Sequence, residues 1–184
     1  MAKTDHLNGL NVLAVDDEPD VLETIVDTLD TANVETATTF EEALHLIENK
    51  NYDLAILDIM GVNGLELLKK TVEKGIPTVM LTAHAISVET LLESIRLGAI
   101  SYLPKEKLAE LDSILNEILK AQAEGIPTWK LLFEKLGEFF DKKFGPNWKE
   151  KDKEFWTEFS RTYHIGKGLK ERLSHDKTIL SKGI

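Results

Sequence analysis

The sequence predicts an α/β fold: a doubly wound, five-stranded parallel sheet with helices on both faces, followed by an α-helical hairpin. Three observations carry that expectation. Short, nearly continuous apolar runs alternate with segments of helical periodicity up to about residue 119. Several of those runs end in acidic, hydroxyl or basic residues. The composition then changes after residue 120: residues 1–119 hold 8 basic and 22 acidic side chains, the remainder 14 and 10, and 10 of the 13 aromatic residues lie in that remainder. Two units follow, residues 1–124 and residues 125–184, with the boundary near Gly125.

Residues 10–16, LNVLAVD, read as a strand buried on both faces. Pro19 suits the first position of a helix, and Val21, Leu22, Ile25, Val26 and Leu29 recur at helical spacing. Val34 to Ala37 is a short strand. Thr39 can cap the next helix, which carries Phe40, Ala43, Leu44 and Ile47. The cycle continues with YDLAILD as strand, Leu65 to Val72 as helix, PTVMLT as strand, Val88 to Leu97 as helix, Ala99 to Leu103 as strand and Leu108 to Leu119 as helix. Parallel strands need crossover connections, and those crossovers cover the sheet, so five strands alternating with five helices give a buried sheet.

The 184 residues carry a net charge of −10 and no cysteine. A disulfide framework, a thiolate zinc site, an iron–sulfur cluster and a cysteine nucleophile are therefore excluded. No apolar run approaches the roughly 20 residues of a membrane span, and the N-terminus lacks a signal-peptide pattern. A soluble, cytoplasmic protein is expected.

In open α/β sheets function gathers at the carboxyl ends of the strands. Here those ends carry Asp16 and Asp17, Asp58, Thr82 and Lys105. Three carboxylates on one edge repel one another unless a cation sits among them, and such hard oxygens suit Mg²⁺. An ammonium from Lys105 and a hydroxyl from Thr82 add donors for anionic oxygens, as a phosphoryl group requires. No base–nucleophile pair of hydrolase type accompanies them.

VDDE at 15–18, LDIM at 57–60, LTA at 81–83 and YLPK at 102–105 resemble, in order and spacing, the receiver domain of two-component response regulators, over roughly residues 8–122. The resemblance implies a flavodoxin-like sheet of strand order 2-1-3-4-5. It implies that Asp58 is the phosphoacceptor, supplied by a sensor histidine kinase or phosphotransfer protein. Asp17 and Asp58 then coordinate Mg²⁺ directly, Asp16 acts through water, and the Met60 carbonyl completes the protein ligands. Lys105 pairs with Asp58 or its phosphoryl group, Thr82 hydrogen-bonds a phosphoryl oxygen, and Tyr102 is the aromatic that turns inward in response. The alternative for Tyr102 is a half-buried edge residue. Met60 and His84 fall where the family lines the path of attacking water and tune phosphoryl lifetime, whereas His6 and His45 read as surface residues. Such a chain catalyses only its own phosphorylation and dephosphorylation and is otherwise no enzyme.

Two departures from the family pattern stand out. Receivers commonly carry proline four residues after the acceptor and glycine eight after it, whereas DIMGVNG brings a glycine at six without the proline. The loop is two residues short. In addition, Pro104 precedes Lys105 and Glu106 follows it, so the usual lysine–proline cis bond is not expected, and the direction of Lys105 is open.

Pro127 suits the start of a helix, and Trp129, Leu132, Phe133, Leu136, Phe139, Phe140 and Phe144 continue one apolar stripe up to Gly145-Pro146. A second amphipathic segment carries Trp148, Phe155, Trp156, Phe159 and Tyr163 and closes at Gly166 and Gly168. A hairpin buries one face internally, so the surplus aromatic surface is expected to meet the receiver, a second copy of the chain or a protein effector. The interleaved charges of KEKDKE describe a solvated face, and the basic tail offers too few apolar residues to seat a recognition helix. Nucleic acid is therefore an unlikely partner. A transcription factor with a small atypical DNA-binding domain remains the competing reading.

Overall fold

The computed structural model describes residues 4–83 and 87–165. Five parallel strands, β1 (Asn11–Val15), β2 (Asn33–Ala37), β3 (Leu54–Asp58), β4 (Thr78–Thr82) and β5 (Ser101–Pro104), form one sheet of order β2-β1-β3-β4-β5. Helices α1 (Pro19–Thr28), α2 (Phe40–Asn49), α3 (Gly64–Glu73) and α4 (Val88–Leu97) make the crossovers, and α5 (Leu111–Ala123) follows β5. All five residues of β3 and of β4 are buried, whereas the edge strand β2 is only half covered. That is why LAILD and TVMLT carry almost no polar interruption and NVETA does.

Register decides what meets at the carboxyl edge. Val15 pairs with Leu57, so Asp16 and Asp58 emerge side by side. Asp58 pairs with Leu81 and Thr82 with Pro104, which brings Thr82 and then Lys105 to the same edge. Local chemistry fixes the helix starts around this frame. Pro19 opens α1; Thr39 Oγ1 accepts the Glu42 N–H at 3.2 Å, and Ser87 Oγ accepts the Thr90 N–H at 3.1 Å.

Two boundaries differ from the sequence reading. After Pro104 the chain runs through a 3₁₀ helix, Lys105–Glu110, before α5 begins at Leu111 rather than Leu108. At its other end α5 continues to Ala123, because Lys120, Ala121, Gln122 and Ala123 are good helix formers and the stop comes at Gly125. No cis peptide occurs among the described residues.

The chain divides into two compact units, Met1–Leu119 and Lys120–Ile184. The second contains α6 (Thr128–Phe144), a 3₁₀ turn (Trp148–Asp152) and α7 (Lys153–Ile165). The hairpin's second segment is thus split, because Asp152 Oδ1 accepts the Phe155 N–H at 3.2 Å and starts a fresh helix there. Rings pack its core beside Leu132 and Leu136. Phe140 is fully buried and stacks on Phe144, while Phe133 meets Trp148, Trp156 and Phe159 with centroids 5.6 to 6.4 Å apart. Trp148 Nε1 donates to Asp141 Oδ1 at 2.9 Å, giving that buried indole its polar partner. Lys149 Nζ lies 4.9, 5.4 and 5.0 Å from the centroids of Phe133, Trp148 and Trp156, a cation over three rings. Tyr163's side chain, Gly166, Gly168 and the basic tail lie outside the described residues.

Candidate phosphoryl and cation site

At the carboxyl edge, Asp16 and Asp58 are buried, 0% and 5% exposed, whereas Asp17 and Glu18 face solvent. Lys105 is the hub: its Nζ lies 2.8 Å from Asp16 Oδ2, 3.3 Å from Asp58 Oδ1 and 3.2 Å from Glu18 Oε1. The lysine therefore points into the acidic pocket, even though no proline follows it. Burial pushes the Asp16 carboxyl up, opposed by the Lys105 ammonium and the Glu18 N–H, with the Asp58 charge adding to the rise. Burial by itself lowers the Lys105 ammonium, but hydrogen bonds and charge from Asp16, Asp58 and Glu18 prevail and raise it. Lys105 thus stays a cation throughout the physiological range.

The loop after β3 is drawn tightly onto this pocket. Ile59 and Val62 are buried, Asn63 adopts a left-handed φ of 52°, and the Gly64 N–H closes on the Ile59 carbonyl at 2.9 Å. The Gly61 N–H donates to Asp58 Oδ2 at 3.0 Å. A methyl group on Gly61 would lie 2.1 Å from Asp17 Oδ1 and 2.6 Å from Asp58 Oδ2, so two carboxylate oxygens border one gap. Oxygen-only donors and net negative charge are what a hard divalent cation takes, and the residues present fit Mg²⁺. Asp16, Asp17 and Glu18 also bring ligand oxygens within 4.8 Å of one another.

Thr82 is buried at the end of β4, and its hydroxyl has no hydrogen-bond partner of good geometry among the described residues. Tyr102 is fully buried, which removes the half-buried alternative, and its hydroxyl pairs with Thr90 Oγ1 in α4 at 2.8 Å. Burial pushes the Tyr102 phenol up, opposed by that hydrogen bond. The Met60 side chain is 68% exposed beside the pocket, and His84 lies outside the described residues. Sequence reasoning quoted Glu18 without giving it a role, and it missed Gly61 and Thr90. Glu18 directly follows the acidic pair, and the short loop was the signal for Gly61; nothing local marks Thr90.

The family model of the response regulator receiver domain matches residues 12–116. Similar curated proteins include the two-component response regulator ARR18 of Arabidopsis thaliana, 34% identical over 119 residues, covering 61% of this chain and 19% of that protein. The positive alginate biosynthesis regulatory protein of Pseudomonas aeruginosa is 38% identical over 114 residues, covering 55% of this chain and 45% of that protein. A solved CheY-like receiver domain protein from Methanospirillum hungatei JF-1 matches with a TM-score of 0.57 at 31% identity, covering 64% of this chain and 98% of that one. The chain spans less than half the length of these two curated relatives.

Proposed function

This chain belongs to the response regulator receiver family, and from that membership we propose that Asp58 accepts a phosphoryl group from a sensor histidine kinase or phosphotransfer protein. Receiver domains are signalling modules that interact with such donors. The observation that carries the assignment is Asp58 itself: a carboxylate buried at a strand end, 3.3 Å from a lysine ammonium and beside an acidic trio.

A carboxylate oxygen of Asp58 attacks phosphorus; the new O–P bond forms as the donor's N–P or acyl O–P bond breaks, and the leaving group keeps the electron pair. Mg²⁺, when bound, neutralises charge on the phosphoryl oxygens, and Asp16, Asp17, Asp58 and the Met60 carbonyl are its proposed ligands. Lys105 holds a positive charge against the phosphoryl group. Thr82 holds a buried hydroxyl at the same edge, without a well-formed hydrogen bond among the described residues, and it can donate to a phosphoryl oxygen. Movement of Thr82 toward the phosphoryl group alters the space beside Tyr102, whose bond to Thr90 ties β5 to α4. Met60, exposed beside the acceptor, and His84 are proposed to tune how long the phosphoryl group survives.

The output follows the same logic. Residues 1–124 act as the receiver and residues 125–184 as a module for protein contacts, with a second copy or a protein effector as partner. No helix among the described residues is long and apolar enough to cross a membrane, and a cytoplasmic site of action is proposed. Incubation with Mg²⁺ and a small acyl phosphate should add one phosphoryl group by intact mass, and Asp58→Asn should take none. Equal labelling of both chains refutes the acceptor assignment. Steeply salt-dependent binding of the full chain to duplex DNA would favour a transcription factor instead.

A further inference from the structure

The loop from Asp58 to Gly64 contains two glycines that approach other atoms too closely for any side chain, and the two approaches differ in kind. At Gly64 an added methyl would meet the Asp58 carbonyl oxygen at 2.0 Å, a main-chain atom that cannot retreat. At Gly61 its nearest neighbours would be side-chain carboxylate atoms, Asp17 Oδ1 at 2.1 Å, Asp17 Cγ at 2.4 Å and Asp58 Oδ2 at 2.6 Å. Asp58 is buried and held by Lys105 and by the Gly61 N–H, whereas Asp17 is exposed. The side chain free to yield is therefore Asp17.

We propose that Gly61 is a positioning residue of the cation pocket: by lacking a side chain it keeps open the gap onto which Asp17 and Asp58 both face. The loop folds position 61 against the two carboxylates, and only hydrogen fits there. Any larger residue fills the gap and turns Asp17 out to solvent, separating the paired oxygens without disturbing the sheet. This rests on the reading of Asp17 and Asp58 as cation ligands.

Calorimetric titration of Mg²⁺ into the metal-free full chain tests it, beside melting in metal-free buffer. Gly61→Ala should weaken Mg²⁺ binding at least about tenfold, the scale of lost support around a metal site, while melting within a few degrees of wild type. Gly137→Ala, whose methyl meets open space in α6, should bind Mg²⁺ as wild type does. Gly64→Ala should lower the melting temperature instead. Unchanged Mg²⁺ affinity in Gly61→Ala overturns the proposal and leaves the phosphoacceptor reading standing. A metal-free melt of Gly61→Ala lowered by ten degrees or more also overturns it, because atoms other than Asp17 then took the clash. A wild-type chain that binds no Mg²⁺ at millimolar concentration refutes the cation reading itself.

Discussion

The sheet unit and the C-terminal unit are both closed around apolar residues, but they are organised by different interactions. In the sheet unit the core is aliphatic: Leu13, Ile56, Leu57, Val79 and Leu103 are wholly or almost wholly buried in strands whose hydrogen-bond ladders fix each residue to its neighbour. In the C-terminal unit rings dominate beside the buried Leu132 and Leu136, and ring edges and faces meet without any ladder. A ladder transmits register to whatever follows it. Hence the sheet sets Asp16, Asp58, Thr82 and Lys105 on one edge, whereas the packed rings supply shape and area but, among the described residues, no comparable polar edge. The proposed chemistry accordingly draws on the first unit, and the second is proposed to supply contact surface.

The largest expected effects should separate the two. Phe140→Ala removes a fully buried ring touching Phe133, Phe139, Phe144 and Trp148, at a cost of about 3–5 kcal/mol. It should abolish the near-ultraviolet signal of the tryptophans, which all lie beyond residue 120, and leave Asp58 phosphorylation in place. Ile56→Ala, at about 2–5 kcal/mol, should instead reduce phosphorylation along with sheet stability. Loss of phosphorylation in Phe140→Ala would show that the units do not divide labour in this way.

A smaller effect is electrostatic and belongs to the sheet unit alone. Because burial raises the Asp16 carboxyl above its ordinary 3.8, the folded chain holds that proton more tightly than the unfolded one. The contribution of Asp16 to metal-free stability is therefore most favourable at low pH, and it falls as pH rises from about 3.8 through the raised value. Asp16→Asn should flatten that part of the stability profile, measured by denaturant melts at stepped pH. Millimolar Mg²⁺ should stabilise wild type in the neutral range by binding the native state. A profile for Asp16→Asn parallel to wild type would contradict the burial of a charged carboxylate.

The smallest effect probes the rings. Lys149→Gln removes one exposed cation over three aromatic faces and should cost about 0.5–1 kcal/mol in the thermal melt of the tryptophan signal, with Mg²⁺ binding unaffected. An unchanged melt would mean that the ammonium only rests on the rings.

Legibility in the sequence follows the same division. Strands buried on both faces announce themselves as apolar runs, so β1, β3 and β4 and the residues ending β1, β3 and β4 could be read directly. The helix with Thr39 before it was equally plain, because capping is local chemistry, whereas the Ser87 cap of α4 was not picked out. The Lys105–Glu18 pair was not, since 87 residues separate them and only the folded edge brings them together. Nor was the 3₁₀ stretch after Pro104, whose residues suit either kind of helix. In the second unit apolar spacing revealed α6 but not the break at Asp152, which depends on one side chain turning back to the Phe155 N–H. Gly61 was visible only as part of a short loop, because what surrounds a glycine is decided by chain segments far from it.

The claim on which everything else depends is that the sheet's register delivers one particular carboxylate to the phosphoryl donor. Borohydride reduction of the acyl phosphate in the phosphorylated full chain converts the acceptor aspartate to homoserine, and peptide mass mapping then locates it. Homoserine is expected at position 58, with intact aspartates at 16 and 17; homoserine at 16 or 17, with Asp58 untouched, would contradict the assignment of Asp58 as acceptor.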